Sequence, residues 1–136
     1  MTQSAAFKRG LKIRNQMFGE QTTQAQIDGA NAFTAPMQRV VTEYCFGQTW
    51  SQGTLPLKTR SMITLAALAA LGRPQELRIH VRGAIANGVT PVEIRDILMH
   101  TMVYAGVPMG VDAVLNAAET LREMGVDLDN LEPPAR

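Results

Sequence analysis

His80 and His100 are the only two histidines in a chain of 136 residues. Each follows a carboxylate by four positions, Glu76 before His80 and Asp96 before His100, and on a helix that spacing stacks the two side chains on one face. A carboxylate so placed can accept an imidazole N–H, fix its tautomer and raise its pKa, as a general acid working near neutral pH requires. On an exposed face the same pair is a helix-stabilising contact and nothing more. Spacing alone favours that plainer reading for each histidine, because perturbed titratable groups mark sites only statistically. Gly83 and Ala84, one turn after His80, leave room beside its ring, whereas Val103 and Tyr104 follow His100.

Other reactive types are sparse. Arg60, Arg73, Arg78 and Arg82 are able to grip a carboxylated ligand with two parallel hydrogen bonds, although most surface arginines are simply solvated. A single cysteine, Cys45, rules out an intramolecular disulfide and CxxC chemistry and reads as a small buried hydrophobe. Two histidines without H-x-x-x-H spacing argue against a metal site. Trp50 sits before a glycine-containing loop, where a large ring more often closes a core than lines a pocket. A net charge of +1 without a basic run interleaved with aromatics argues against nucleic acid. The longest apolar run, MITLAALAALG, is too short to span a bilayer, and MTQSAAFKRG has no signal-peptide core, so the expected compartment is the cytoplasm.

The elements that must position these residues read as helices throughout. Strand alternation and hairpin turns are nearly absent. Residues 4–17 place Phe7, Leu11 and Met17 near one face and interleave Lys8, Arg9, Lys12 and Arg14, the pattern of a surface helix weakened at Gly10. A second helix starts at Thr34 as N-cap with Pro36 in its first turn, and frays near Gly47. A third runs from about Pro56 to Leu71 and ends on Gly72, and a fourth covers 74–87 with Asn87-Gly88 as its stop. TPVE then forms a capping box, with Thr90 at N-cap, Pro91 at N1 and Glu93 at N3. That helix runs to about Tyr104 and breaks at 105–108. A last helix from about Met109 to Met124 carries Val111, Val114, Leu115, Ala118 and Leu121 on its apolar face. The expected architecture is all-α: one bundle of about six helices over residues 1–125, followed by a tail over 126–136 that is loose or docks on a neighbour.

The segment EYCFGQTWSQGTLPLKTRSMITLAALAALGRPQELRIHVRGAIANGVTPVEIRDILMHTMVYAGVP resembles the carboxymuconolactone decarboxylase family over about half the chain, with KTRS, ELRIH, NGVT and HTMVYAGVP as its marks. The resemblance implies an alkylhydroperoxidase D-like helical fold, assembled as a homotrimer or homohexamer with sites at or near subunit contacts. It implies a decarboxylase that needs no cofactor or metal and takes a small carboxylated unsaturated lactone from aromatic-compound breakdown. It makes His80 the acid/base, for which the spacing offers Glu76 as orienting partner, and places Arg60, Trp50, Tyr44, His100 and Tyr104 at the substrate. Arg73 and Glu76 stand where the peroxidase branch of the superfamily has its two cysteines, which excludes thiol peroxidase chemistry of that kind. Four positions depart from the family pattern: Gln52 replaces an arginine, Phe46 a tryptophan, and Met109 and Gly110 replace alanines. Loss of an arginine removes a carboxylate anchor, and a methionine reshapes a cavity, so these changes bear on which substrate fits. The alternatives are a paralogue that isomerises or cyclises an enolisable substrate, and a non-catalytic oligomer that binds a small molecule.

Overall fold

Ser4 opens the first helix, its hydroxyl accepting the Phe7 amide at 3.0 Å, and the regular structure from there on is helical. The computed structural model describes residues 3–131. Among them lie α1 (Ala5–Phe18), α2 (Glu20–Asp28), α3 (Ala35–Arg39), a π-helical segment Val40–Trp50 continuing directly from α3, α4 (Leu57–Leu71), α5 (Pro74–Ala86), α6 (Pro91–Ala105) and α7 (Val107–Glu123). The all-α expectation holds, with seven α-helices and a π-segment in place of about six helices. The unexpected element is α2, whose sequence EQTTQAQID buries Thr23 and shows little apolar periodicity. None of the helices described is long and apolar enough to cross a membrane.

The chain divides into two compact units, Met1–Pro56 and Leu57–Arg136. In the first, α1 packs on the π-segment backbone to backbone. A Cβ on Gly10 would lie 1.7 Å from the Thr42 carbonyl oxygen, and one on Gly47 would lie 2.0 Å from that of Ala6. The two glycines are therefore the contact itself. Gly10 does not weaken α1, and the helix after Thr34 runs through Gly47 to Trp50 without fraying there. As in a surface helix, Lys8, Arg9 and Lys12 of α1 are exposed and Met17 is buried, but the buried face also takes in Gly10, Ile13 and, against expectation, Arg14. Arg14 is 3% exposed and donates to Gln26 of α2 at 2.7 Å, to Gln38 of α3 at 3.0 Å and to Thr42 of the π-segment at 2.7 Å. Burial lowers its pKa. Thr34 makes no side-chain cap of the expected kind; its hydroxyl instead accepts from the Asn31 amide at 3.1 Å in a tight turn.

The second unit carries its own core, built from Leu65, Ala69, Leu77, Val81, Ala84, Ile94, Leu98, Ala113, Ala117 and Leu121. Three of its helices end in the same way. Gly72, Gly88 and Gly125 take positive φ, and the following amides of Arg73, Val89 and Val126 reach back to the carbonyls of Leu68, Ala84 and Leu121 at 3.0, 2.9 and 3.0 Å. This double-bonded termination satisfies carbonyls that would otherwise be orphaned. The capping box at α6 forms as its sequence requires: Glu93 N–H donates to Thr90 Oγ1 at 3.1 Å, and Thr90 N–H donates to Glu93 Oε1 at 3.0 Å.

The buried face of α7 matches the expected one only in part: Leu121 is buried and Val114 packs against the core. Gly110, Ala113, Ala117, Thr120 and Leu121 point inward, while Val111 and Leu115 are exposed. Close packing on α5 and α6 selects the small residues for the interior. Of the tail, Val126 and Leu128 pack against the core of this unit; residues 132–136 lie outside the described part of the chain.

Candidate functional site

His80 projects from the middle of α5, half-buried, with its Nδ1 shut off from solvent. The cost of desolvating an imidazolium pulls its pKa down to about 4, and the nearby Glu76 carboxylate opposes this only in part. That reverses the expected sign. Glu76 does favour the charged ring, but burial outweighs it, and His80 is a neutral imidazole at neutral pH.

Glu76 has a closer partner than His80. Arg73, the residue preceding α5, donates from Nη2 to Glu76 Oε1 at 2.5 Å. This bond lowers the Glu76 pKa and raises that of Arg73. The pair is largely exposed, so the carboxylate stands on the solvent side of the histidine. Arg78 and Arg82, two residues either side of His80 and hence on the opposite face of α5, are committed elsewhere. They bind Asn116 and Glu119 at 2.8 and 2.6 Å, and Glu123 at 2.7 Å, tying α5 to α7. Neither is the ligand-gripping arginine that their sequence positions allowed.

Arg60 lies in the first turn of α4, partly buried, with its Nε shielded from solvent. The adjacent Ser61 accepts a hydrogen bond from Asn87 at 2.9 Å. This fixes the register of the α4–α5 hairpin and sets Arg60 level with the end of α5, roughly 10 Å along the pair from His80 at 1.5 Å per residue. A ligand touching both must bridge that length.

His100 is exposed on α6, its ring 5.2 Å from that of Tyr104. It lines a shallow hollow of about 320 Å³ with Met62, Glu93, Asp96, Ile97 and Thr101. Among the described residues the lining of this hollow includes neither His80 nor Glu76, so the structure separates the two histidines that sequence spacing presents as equivalent. Asp96, the expected partner of His100, pairs with Arg95 at 3.3 Å. Tyr104 is 80% exposed.

Tyr44 and Trp50 belong to the first unit, on the π-segment. Tyr44 is exposed. Trp50 stacks on Phe46 with ring centroids 5.4 Å apart, and Phe46 meets Phe18 edge-on at 5.9 Å. Phe46, one of the departures from the family pattern, is thus the centre of an aromatic cluster. Two further departures are explained together in the second unit. Gly110 leaves room for Met102, whose side chain would lie 2.5 Å from a Cβ there, and Met109 lies against Gly72 beside Arg73. What sequence reasoning missed is Arg73 as the residue that holds Glu76. Its signal was the three-residue spacing at a helix start.

The sequence pattern of the carboxymuconolactone decarboxylase family matches residues 35–120, a span that contains every residue just placed from Tyr44 to Met109. The chain is 35% identical over 126 residues to 4-carboxymuconolactone decarboxylase of Acinetobacter baylyi, covering 93% of this chain and 94% of the relative. It is 36% identical over 118 residues to nitrosuccinic acid decarboxylase of Metarhizium robertsii, covering 87% and 82% respectively. With the family pattern matched over more than half its length and a relative aligned nearly end to end, the chain belongs to the carboxymuconolactone decarboxylase family.

Proposed function

We propose that the protein is a cofactor-independent decarboxylase acting on 4-carboxymuconolactone or a related carboxylated unsaturated lactone. The observation that carries this is the near full-length likeness to a decarboxylase of that substrate, in a chain whose half-buried His80 stands beside the carboxylate of Glu76. The lactone supplies its own electron sink. When the ring carbon–carboxylate bond breaks, its electron pair runs through the ring double bond onto the lactone carbonyl oxygen, giving CO₂ and a dienolate, which a proton then quenches at carbon. The protein's tasks are to hold the carboxylate perpendicular to the ring, to stabilise the dienolate oxygen and to return the proton. A ring N–H of His80 donates to that oxygen or supplies the proton, Arg60 holds a carboxylate, and Tyr104 and His100 shelter the site from water in a homotrimer or homohexamer.

A second reading is favoured by the almost equal identity to a nitrosuccinic acid decarboxylase. Nitrosuccinate is also a dicarboxylate that carries its sink, since loss of the carboxylate beside the nitro group leaves a nitronate. The departures at Gln52, Phe46, Met109 and Gly110 bear on this choice.

Incubation with 4-carboxymuconolactone and, separately, with nitrosuccinate, following CO₂ release, tests both. Turnover of the lactone in preference to the nitro acid is the expected result, and silence with both refutes the decarboxylase reading. Replacing His80 by Gln should lower turnover at least about a hundredfold with the assembly intact; near-normal turnover removes His80 from the mechanism.

A further inference from the structure

We propose that Arg73 is a positioning residue that withholds the Glu76 carboxylate from His80 until a carboxylate of the ligand takes its guanidinium, so that substrate binding itself turns His80 into a proton donor. The inference rests on the decarboxylase reading and supplies a step that reading lacks. A histidine that is neutral at rest can hydrogen-bond a dienolate, but it has no spare proton to place on carbon.

The geometry supplies the switch. Arg73 and Glu76 are joined by one 2.5 Å hydrogen bond at the start of α5, and both are largely exposed. An exposed ion pair is held weakly, since water competes for each partner, so an incoming carboxylate displaces Glu76 at little cost. Guanidinium binds any carboxylate in the same two-pronged manner. Backbone geometry keeps Arg73 at this place: Gly72 takes φ +68°, and Pro74 follows in the first turn of α5. Once released, Glu76 stands one turn from His80 on the same face, where its charge already favours the imidazolium.

Several other charges on the elements around His80 are committed. Arg78 and Arg82 are tied to Glu119 and Glu123 of α7, and Lys58 of α4 is tied to Glu93 at 3.1 Å. Arg60 of α4 is a further cation whose approach would oppose protonation, so a ligand that also engages it reinforces the change.

The proton balance closes. His80 takes a proton from solvent as the ligand binds. The carbon–carboxylate bond breaks, leaving the electron pair in the dienolate, and that pair then forms the new C–H bond with the imidazolium proton. His80 returns to neutral and Glu76 to Arg73. The net reaction consumes one proton and releases CO₂.

Titration of His80 by NMR in the full-length protein labelled with ¹⁵N-histidine tests this without turnover. The signal lost in His80→Gln identifies the ring, and His100 serves as internal reference. Arg73→Ala, and independently Arg73→Gln, should move the His80 midpoint upward by about one pH unit, and adding Glu76→Gln should abolish that rise. Succinate, as a carboxylate probe at millimolar concentration, should raise the midpoint in the wild type but not in Glu76→Gln or Arg73→Ala. An unmoved midpoint in both Arg73 variants, a rise that survives Glu76→Gln, or no response to succinate overturns the proposal. These readouts do not depend on catalysis. A protein inert towards both decarboxylase substrates but showing the Arg73-dependent rise would lose the decarboxylase reading and keep this coupling.

Discussion

Acid should unfold this protein through His80 before it does so through the carboxylates. Burial holds the folded-state imidazole at about 4, whereas an unfolded chain returns it to about 6.5. Between those values the unfolded state binds more protons, so stability is fully present above about pH 6.5 and is lost as the pH falls towards 4. The difference of about 2.5 pH units, at about 1.4 kcal/mol each, sets a ceiling of ~3 kcal/mol. Solvent screening at the partly exposed edge of the ring brings this to roughly 2 kcal/mol. Glu76, Glu93, Glu119 and Asp127 are also held below their ordinary values, and depressed carboxylates likewise lose their contribution on acidification. Their ordinary values of 3.8 to 4.5 place that loss at lower pH, leaving the window from 6.5 to 5 to His80. Urea unfolding at pH 7.5, 6.5, 5.5 and 5.0 should show the wild type losing roughly 1–2 kcal/mol, while His80→Gln stays nearly flat over the same range. His100 is present in both proteins and cancels. Equal slopes in the two would mean that His80 is not desolvated by folding, which would remove the physical basis for its neutral resting state.

Two structural predictions accompany it. Gly10→Ala places a methyl group 1.7 Å from the Thr42 carbonyl oxygen. Backbone cannot yield as a side-chain tip does, so despite the better helix propensity of alanine the variant should lose about 1–3 kcal/mol or more in urea unfolding. Thr90→Ala removes one half of the α6 capping box and should cost about 1 kcal/mol by the same measurement, with Thr90→Ser restoring most of it.

The parts of this fold that are readable in sequence are those settled within a few residues. The capping box needs only Thr90 and Glu93, and the helix stops at Gly72 and Gly88 need a glycine free to take positive φ. Arg14 shows the limit. Its pattern is that of a solvated cation, and it is buried because Gln26, Gln38 and Thr42, up to 28 positions away, converge on its guanidinium. The inner face of α7 is legible at Val114 and Leu121 but not elsewhere, for a related reason. Hydrophobicity points to Val111 and Leu115, but the space between packed helices admits Gly110, Ala113 and Ala117. At the candidate site, the four-residue spacing of Glu76 and His80 was legible while the sign of the histidine's pKa was not, since spacing reports the carboxylate and says nothing of burial. The preference for His80 over His100 as the proposed acid/base rests on the family resemblance. The structure adds an independent difference between them, since one ring is sheltered and the other faces solvent.

The apolar residues displaced to the outside of α6 and α7 bear on that difference. Val103, Tyr104 and Val107 lie around the Gly106 junction, and Val111 and Leu115 continue from them at helical spacing. A run of exposed large apolar side chains on adjoining helices is uncommon for a chain that functions alone, and marks a surface that another covers. Tyr104 at 80% exposure cannot exclude water from a reaction, nor can the open hollow beside His100. Their proposed sheltering roles would therefore require a homo-oligomer, whereas Arg73, Glu76 and His80, at and just before α5, lie within one chain. On the proposed reading, local helix geometry builds the proton-handling half of the site and a homo-oligomer would have to supply the water-excluding half. Weakening the assembly should accordingly impair the second without altering the first.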